Sequence, residues 1–231
     1  MQHKIQKDII LKLIHKPKAT FTELQGDIKS NDFAYHIKSL QNQGLVILND
    51  NLYSLSSEGK KLSSFIEGDT GEIAKFPTFS NVLLLEKDGK FLAQQRLKEP
   101  FFGKWGFVSG KINFGFNIVE CSIRDLLEEA NLIAKKGKLV GISQIKTYED
   151  DNLAFHHILF FVRLEEISGE LKEDTHKAKN KWVTIEEFNT FDSFPDARVP
   201  ELLNLKEFTM FETKRIIVNG KLTDGGTIKV N

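Results

Sequence analysis

Cysteine is nearly absent: Cys121 stands alone in 231 residues, which excludes an intrachain disulfide framework. Net charge is absent too, because 32 Lys and Arg balance 32 Asp and Glu. The chain therefore has no general attraction to nucleic acid or to an anionic membrane, and any such binding must be local. Long apolar runs are missing; "HILFF" at 157–161 suits a strand and is far too short to span a bilayer. The opening "MQHKIQKDIILKLIHK" lacks the uninterrupted apolar core of a signal peptide. A reducing, cytoplasmic location with no membrane partner is the expectation. Arginine does not occur in the first 68 residues, which removes from that region the commonest bidentate reader of guanine.

What is present is an ordinary hydrophobic fraction of 40%, in a chain long enough for one large domain or two small ones. Composition shifts at "EGDTGEIAKFP", where Gly, Asp, Thr and Pro interrupt periodic segments on both sides. Two domains are expected, over residues 1–68 and 78–231, with a linker over 69–77. In the first, Ile5, Ile9, Leu13 and Ile14 form a helical stripe closed by Pro17, and Thr20 with Glu23 makes a capping box for a second helix. Ser30 caps a third helix with Phe33, Ile37 and Leu40 inward and Gly44 at its end. "LVIL" and "LYSL" flank Asn49-Asp50-Asn51 as a hairpin, and a further helix follows.

After the linker the periodicity becomes strand-like. "NVLLLEKDGKFLAQQRL" reads as a hairpin around Asp88-Gly89, further strands are expected at "KLVGISQIKTYE", "NLAFHHILFFVRL" and "KWVTIEE", and a helix over Val199 to Phe208. "RIIVNGKLTDGGTIKV" reads as a terminal Asn-Gly hairpin. A glycine-rich stretch enters a helix near Asn117, with Ile118, Val119, Ile123, Leu126, Leu127 and Ala130 inward and Glu120, Arg124, Asp125, Glu128 and Glu129 outward. Like charges three and four apart repel, so Asp125, Glu128 and Glu129 call for a cation. Glu120, Arg124 and Glu128 at successive i, i+4 spacings provide a surface ladder; a divalent cation sharing carboxylates with substrate phosphates is the other reading.

The order of three helices, hairpin and helix over residues 1–68 resembles the winged helix-turn-helix family, with "SNDFAYHIKSLQNQGLV" in the place of the recognition helix. The resemblance implies DNA binding by an outer stripe of Asn31, Tyr35, Lys38 and Asn42. Phosphate-neutralising charge is scarce there, so DNA binding by this module calls for a homodimer, and a dimerisation or substrate-shaping appendage is the alternative.

Gly110 to Leu132 resembles the Nudix box, G-x5-E-x7-R-E-U-x-E-E-x-G-U with U aliphatic: Gly110, Arg124, Glu128, Glu129 and Leu132 agree, Asp125 stands for a glutamate and Asn131 for the final glycine. The resemblance covers roughly residues 78–207. It implies an α+β chain whose C-terminal domain is an α/β/α sandwich with a mixed sheet, and it turns the helix charges into a site for Mg2+ or Mn2+ held by Asp125, Glu128 and Glu129. Catalytic roles fall to Arg124, Glu128 and Glu129, and substrate contacts to Arg96, Trp105 and Gly110, with Phe101 and Phe102 also near the mouth of the expected cleft. His156 and His157 alternate to opposite faces of a strand, so a paired-histidine metal site is not expected. Phe116 replaces the first glutamate of the box, and the segment before Trp182 is basic, with Glu170, Glu173 and Asp174 as nearby acidic substitutes.

Two functions remain open on the sequence. One is a Mg2+-dependent pyrophosphohydrolase of a nucleoside diphosphate linked to another moiety; the other is a nucleotide-sensing transcription regulator.

Overall fold

Apolar side chains recurring every three or four residues build α1 (Lys4–His15), which buries Ile9, Ile10 and Leu13. It stops two residues before Pro17, and Lys16 is extended as a residue preceding proline should be. In the computed structural model, which describes residues 3–230, the capping box of α2 (Phe21–Gln25) is complete. The Glu23 N–H donates to Thr20 Oγ1 at 3.4 Å and the Thr20 N–H to Glu23 Oε2 at 2.8 Å. Helix α3 (Ser30–Asn42) buries Phe33, Ile37 and Leu40, with His36 beside them. Ser30 does not cap it: Lys29 is the capping residue, and Ser30 Oγ accepts instead from Gln25 Nε2 at 2.9 Å.

Strands β1 (Val46–Asn49) and β2 (Leu52–Leu55) meet through Asp50 and Asn51, both at positive φ, a two-residue turn whose twist suits a hairpin. Helix α4 (Ser57–Ser63) follows, capped by Ser56. The stretch expected as a linker is partly fastened down. Ile66 bridges Ile73, the Ala74 N–H donates to Phe65 O, and Lys7 Nζ pairs with Glu72 at 2.7 Å. The chain accordingly divides into units Met1–Lys75 and Phe76–Asn231.

In the second unit "NVLLL" is apolar without alternation because both faces of its strand are covered. β3 (Thr78–Leu84) sends Val82 and Leu84 into one core cluster, and Leu83 with the following Leu85 into another. The sheet has six strands in the order β12 (Lys221–Lys229), β11 (Thr209–Val218), β8 (Leu132–Glu149), β9 (Asn152–Gly169), β3 and β7 (Ser109–Lys111). β3 runs parallel to β9 and β11 to β8, while the other neighbours are antiparallel. On β5 (Lys90–Arg96) a smaller sheet assembles from β4 (Glu86–Lys87), β6 (Trp105–Phe107) and β10 (Ala178–Val183). The Asp88-Gly89 turn joins β4 to β5, so the expected hairpin is shorter than read and β3 belongs to the larger sheet.

Helix α5 (Ile118–Ala130) contributes Leu126 and Ala130 to the cluster containing Leu83. On the other side, α6 (Ile185–Phe188) and α7 (Val199–Leu203) supply Phe188, Leu202 and Leu203 to the cluster of Val82 and Leu84. This is the α/β/α sandwich with a mixed sheet. The last helix ends at Leu203 rather than Phe208, and Asn204 Nδ2 donates back to Pro200 O at 2.8 Å. Asn219-Gly220 turns the terminal hairpin as read, and within β12 Gly225 and Gly226 together oppose Lys214, a bulge. No helix among the described residues is long and apolar enough to cross a membrane.

Two-faced burial makes a testable claim about adjacent residues. Leu83→Ala and Leu84→Ala should each cost roughly 2–5 kcal/mol in denaturant unfolding. A near-neutral result for either would show that one face of β3 is open.

Candidate functional site

The site is built where α5 packs against Gly110 of β7. Asn117 caps the helix, its Oδ1 accepting from the Val119 and Glu120 N–H groups at 2.9 and 3.1 Å. Asn131 closes it in the left-handed conformation expected of the residue replacing glycine, and its Nδ2 donates to Glu170 O at 3.0 Å. Between these ends the helix is rotated from the expected phase. Asp125 is only 4% exposed, while Leu127 is 47% exposed.

Asp125 turns inward because a buried amide receives it. In the β3–β7 register Asn81 lies opposite Gly110. The Gly110 N–H donates to Asn81 Oδ1 at 2.6 Å, and Asn81 Nδ2 donates to Asp125 Oδ2 at 2.7 Å. Any side chain at 110 would collide with this carboxylate, since a Cβ there would lie 2.0 Å from Asp125 Oδ2. The other carboxylate oxygen, Oδ1, accepts from Arg124 Nη2 at 2.7 Å and Nε at 3.2 Å. Hydrogen bonding to Asp125, more than any other contact, raises the Arg124 pKa. Asp125, expected to ligate metal, is thus engaged through both oxygens by protein donors.

Arg124 also reaches Glu128 Oε1 at 3.6 Å, and its guanidinium lies over the Phe116 ring, 5.2 Å from the centroid. Phe116 therefore holds the arginine by its π face where the box has a carboxylate. At the end of the helix, buried Asn180 on β10 donates through Nδ2 to Glu129 O at 2.7 Å and Lys172 O at 2.9 Å, and accepts from Gln94 Nε2 at 3.0 Å. The backbone that carries Glu129 is fixed by this amide.

Arg124, Asp125, Glu128 and Glu129 line a cavity of about 570 Å3, together with Gly110, Arg96 and Lys98. Arg96 Nε donates to Pro100 O at 3.0 Å, and burial lowers the Arg96 pKa against the opposing pull of Glu99 and Glu129. Phe101 lines the cavity, whereas Phe102 is exposed and does not. Trp105, expected at the substrate, is also missing from the wall: its neighbour Gly106 faces the cavity, and the indole packs on Phe191 at 4.5 Å between centroids. His157 lines the cavity, while His156 Nε2 is 2.9 Å from Gln144 Nε2, as strand alternation separates them. Glu170, Glu173 and Asp174 do not line it.

Among the described residues no group of three or more His, Cys, Asp and Glu side chains is disposed to hold a metal ion. Of the carboxylates lining the cavity, Asp125 is taken up by Asn81 and Arg124 and Asp196 by Arg215, which leaves a pair of glutamates on consecutive positions, Glu128 and Glu129, with hard carboxylate oxygens. That donor set fits Mg2+, which is commonly bound by one or two carboxylates and completes its shell with water and substrate phosphates. The sequence reading missed Asn81 and Asn180. Their signal was a polar residue inside an apolar strand pattern, "SNVLLL" and "KNKWV".

A profile of the NUDIX domain matches residues 75–202. An ADP-ribose pyrophosphatase of Methanocaldococcus jannaschii is 33% identical over 89 residues, which make up 38% of this chain and 51% of that protein. The chain spans about half the length of this curated relative. Among solved structures, the mutator MutT protein of Bacillus halodurans aligns with a TM-score of 0.57 at 17% identity, over 66% of this chain and 97% of that one. Its likeness is one of fold.

Replacing Asn81 by Ala should orphan the Gly110 N–H and one Asp125 oxygen, at roughly 1–3 kcal/mol for each buried group. Chemical denaturation measures this loss, and Gly110→Ala should destabilise by steric conflict even though both hydrogen-bond partners remain. Wild-type stability in both variants would show that the contact is dispensable.

Proposed function

The chain belongs to the NUDIX family, and from that premise we propose that its second unit is a metal-dependent hydrolase of the diphosphate linkage in a nucleoside diphosphate joined to another moiety. The observation that carries this reading is the pair Glu128 and Glu129 at a cavity of about 570 Å3, presented by a helix whose register is locked through Asp125, Asn81 and Gly110. Glu128 and Glu129 would hold Mg2+ or Mn2+ jointly with the substrate phosphates. Such a cation supplies neutralisation of phosphate charge and a lowered pKa for bound water. Arg124 is a positioning residue: its fork holds Asp125 and its edge restrains Glu128. Arg96 and Lys98 line the same cavity and offer positive charge to the diphosphate.

ADP-ribose heads the substrates to be tried, because a relative sharing 33% identity over 89 residues is named an ADP-ribose pyrophosphatase. That relative favours the hydrolase over the sensor reading. A cytoplasmic location is part of the same proposal, given a single buried cysteine.

For the first unit we propose a winged helix over residues 1–68 that meets DNA as a homodimer. The exposure of Asn31, Tyr35, Lys38 and Asn42 along α3 supports this, with Tyr35 71% exposed.

Release of phosphate-containing products from ADP-ribose, nucleotide sugars, dinucleotides and nucleoside triphosphates with Mg2+ tests the enzyme. Glu129→Gln should abolish that release and leave the melting temperature unchanged; an unaltered rate would sink the assignment. For the first unit, Lys38→Ala should weaken binding to a selected two-fold duplex and reduce the slope of log affinity against log salt by about one. No enriched sequence from a randomised pool would leave the unit as an accessory element.

A further inference from the structure

The cavity continues beyond the region matched by the family profile. That match ends at residue 202, yet Phe211, Thr213 and Arg215 from β11 and Thr227 from β12 complete the wall. Their placement follows from register. His157, Ile145, Thr213 and Thr227 form one cross-strand row over β9, β8, β11 and β12, and Phe155, Thr147 and Arg215 form the row two residues along. Residues two apart share a face.

This floor differs chemically from the glutamate end. Its arginine charges are already matched: Arg215 is bidentate to Asp196 at 2.7 and 2.9 Å, and Arg198 pairs with Glu201. Arg96, by contrast, has no carboxylate within ion-pair distance among the described residues. Phosphate is therefore drawn toward Arg96 and away from the floor. What the floor offers is aromatic surface and neutral hydrogen-bonding groups. Phe101 meets Phe155 at 5.5 Å and Phe194 at 5.8 Å between centroids, both edge to face, and the Phe155 and His157 rings lie within 22° of parallel. Thr213 Oγ1 is 3.4 Å from Ser143 Oγ and 3.1 Å from Thr227 Oγ1, so these hydroxyls can rotate toward a ligand. His157 Nδ1 is sealed from solvent with no hydrogen-bond partner, so any bond from this ring to a ligand must use Nε2.

Resting on the hydrolase reading above, we infer that this floor seats the nucleobase of the substrate, with His157 and Thr213 reading its edge and the Phe101–Phe155 wall stacking on its face. A heterocycle has both the π surface and the edge donors and acceptors that such a site satisfies, whereas a phosphate or a second sugar lacks the π surface. Burial, then the charges of Arg215, His156 and Arg96, lower the His157 pKa below the usual 6.5. The neutral form of the ring, which can donate or accept, is thereby favoured.

The test separates base recognition from turnover. Calorimetric titration of the full chain in EDTA uses AMP, GMP, CMP and UMP, with ribose 5-phosphate as the base-free control. At least one nucleotide should bind about tenfold or more tighter than the control, the scale of one well-placed hydrogen bond plus stacking. His157→Leu and Thr213→Val should each erase most of that preference without changing the affinity for ribose 5-phosphate. Phe155→Leu, which alters the wall and leaves Thr213 in place, should reduce it too, and gives an independent reading if one floor variant fails to fold. Equal affinity for all five ligands in the wild type, or a preference retained in the folded variants, overturns the inference. Failure of the whole Mg2+ panel would sink the hydrolase reading and leave this binding comparison intact.

Discussion

One carboxamide organises the second unit. Asn81 sits in a strand covered on both faces, at 0% exposure, where an unpaired amide would be costly. It is satisfied at both ends, by the Gly110 N–H and by Asp125. Because β3, β7 and α5 each supply one partner, their relative placement is set together. The rotation of α5 that buries Asp125 also determines which side chains remain on the cavity side. All three carboxylates border the cavity, but both Asp125 oxygens are taken by protein donors, so Glu128 and Glu129 are the ones on this helix left free for a ligand.

The same constraint accounts for the charge arrangement around the helix. A buried carboxylate is tolerable only with donors, and Arg124 provides two to one oxygen while lying over the Phe116 ring. The residues nearest Asp125 are thereby occupied with one another. Glu128 and Glu129 keep oxygens available for a ligand, and Asn180, far away in the chain, steadies the backbone beneath them. Rigid support behind exposed donors is what a site needs when its ligand brings part of the coordination itself.

Features encoded by neighbouring residues were legible in the sequence. Asn117 and Asn131 at the ends of α5, the Thr20–Glu23 box, and the Asp50-Asn51, Asp88-Gly89 and Asn219-Gly220 turns each depend on local backbone geometry. The change of periodicity after the first unit marked where helices give way to strands, and the sandwich with its mixed sheet was implied by the resemblance that the motif of Gly110 to Leu132 carries. Features encoded by distant partners were hidden. Helical periodicity places Leu127 inside and Asp125 outside; the reversal comes from an amide 44 residues away, and the bond holding Glu129 O spans 51 residues. The orientation of Trp105, which packs on Phe191 and does not line the cavity, was hidden for a related reason, since a strand of three residues gives too little alternation to say which side faces a cavity formed by other elements.

The paired glycines of β12 have a consequence for how the sheet ends. An outermost strand exposes unpaired backbone groups on which a second chain can assemble. Here that strand is interrupted by a bulge at Gly225 and Gly226 and carries Lys221 and Lys229 at its two ends. The opposite border, β7, is three residues long and closes with Lys111. Both margins are poor templates for continued strand addition, so the sheet is bounded at six strands, and self-association through fibre-like growth is disfavoured by the geometry of its rims.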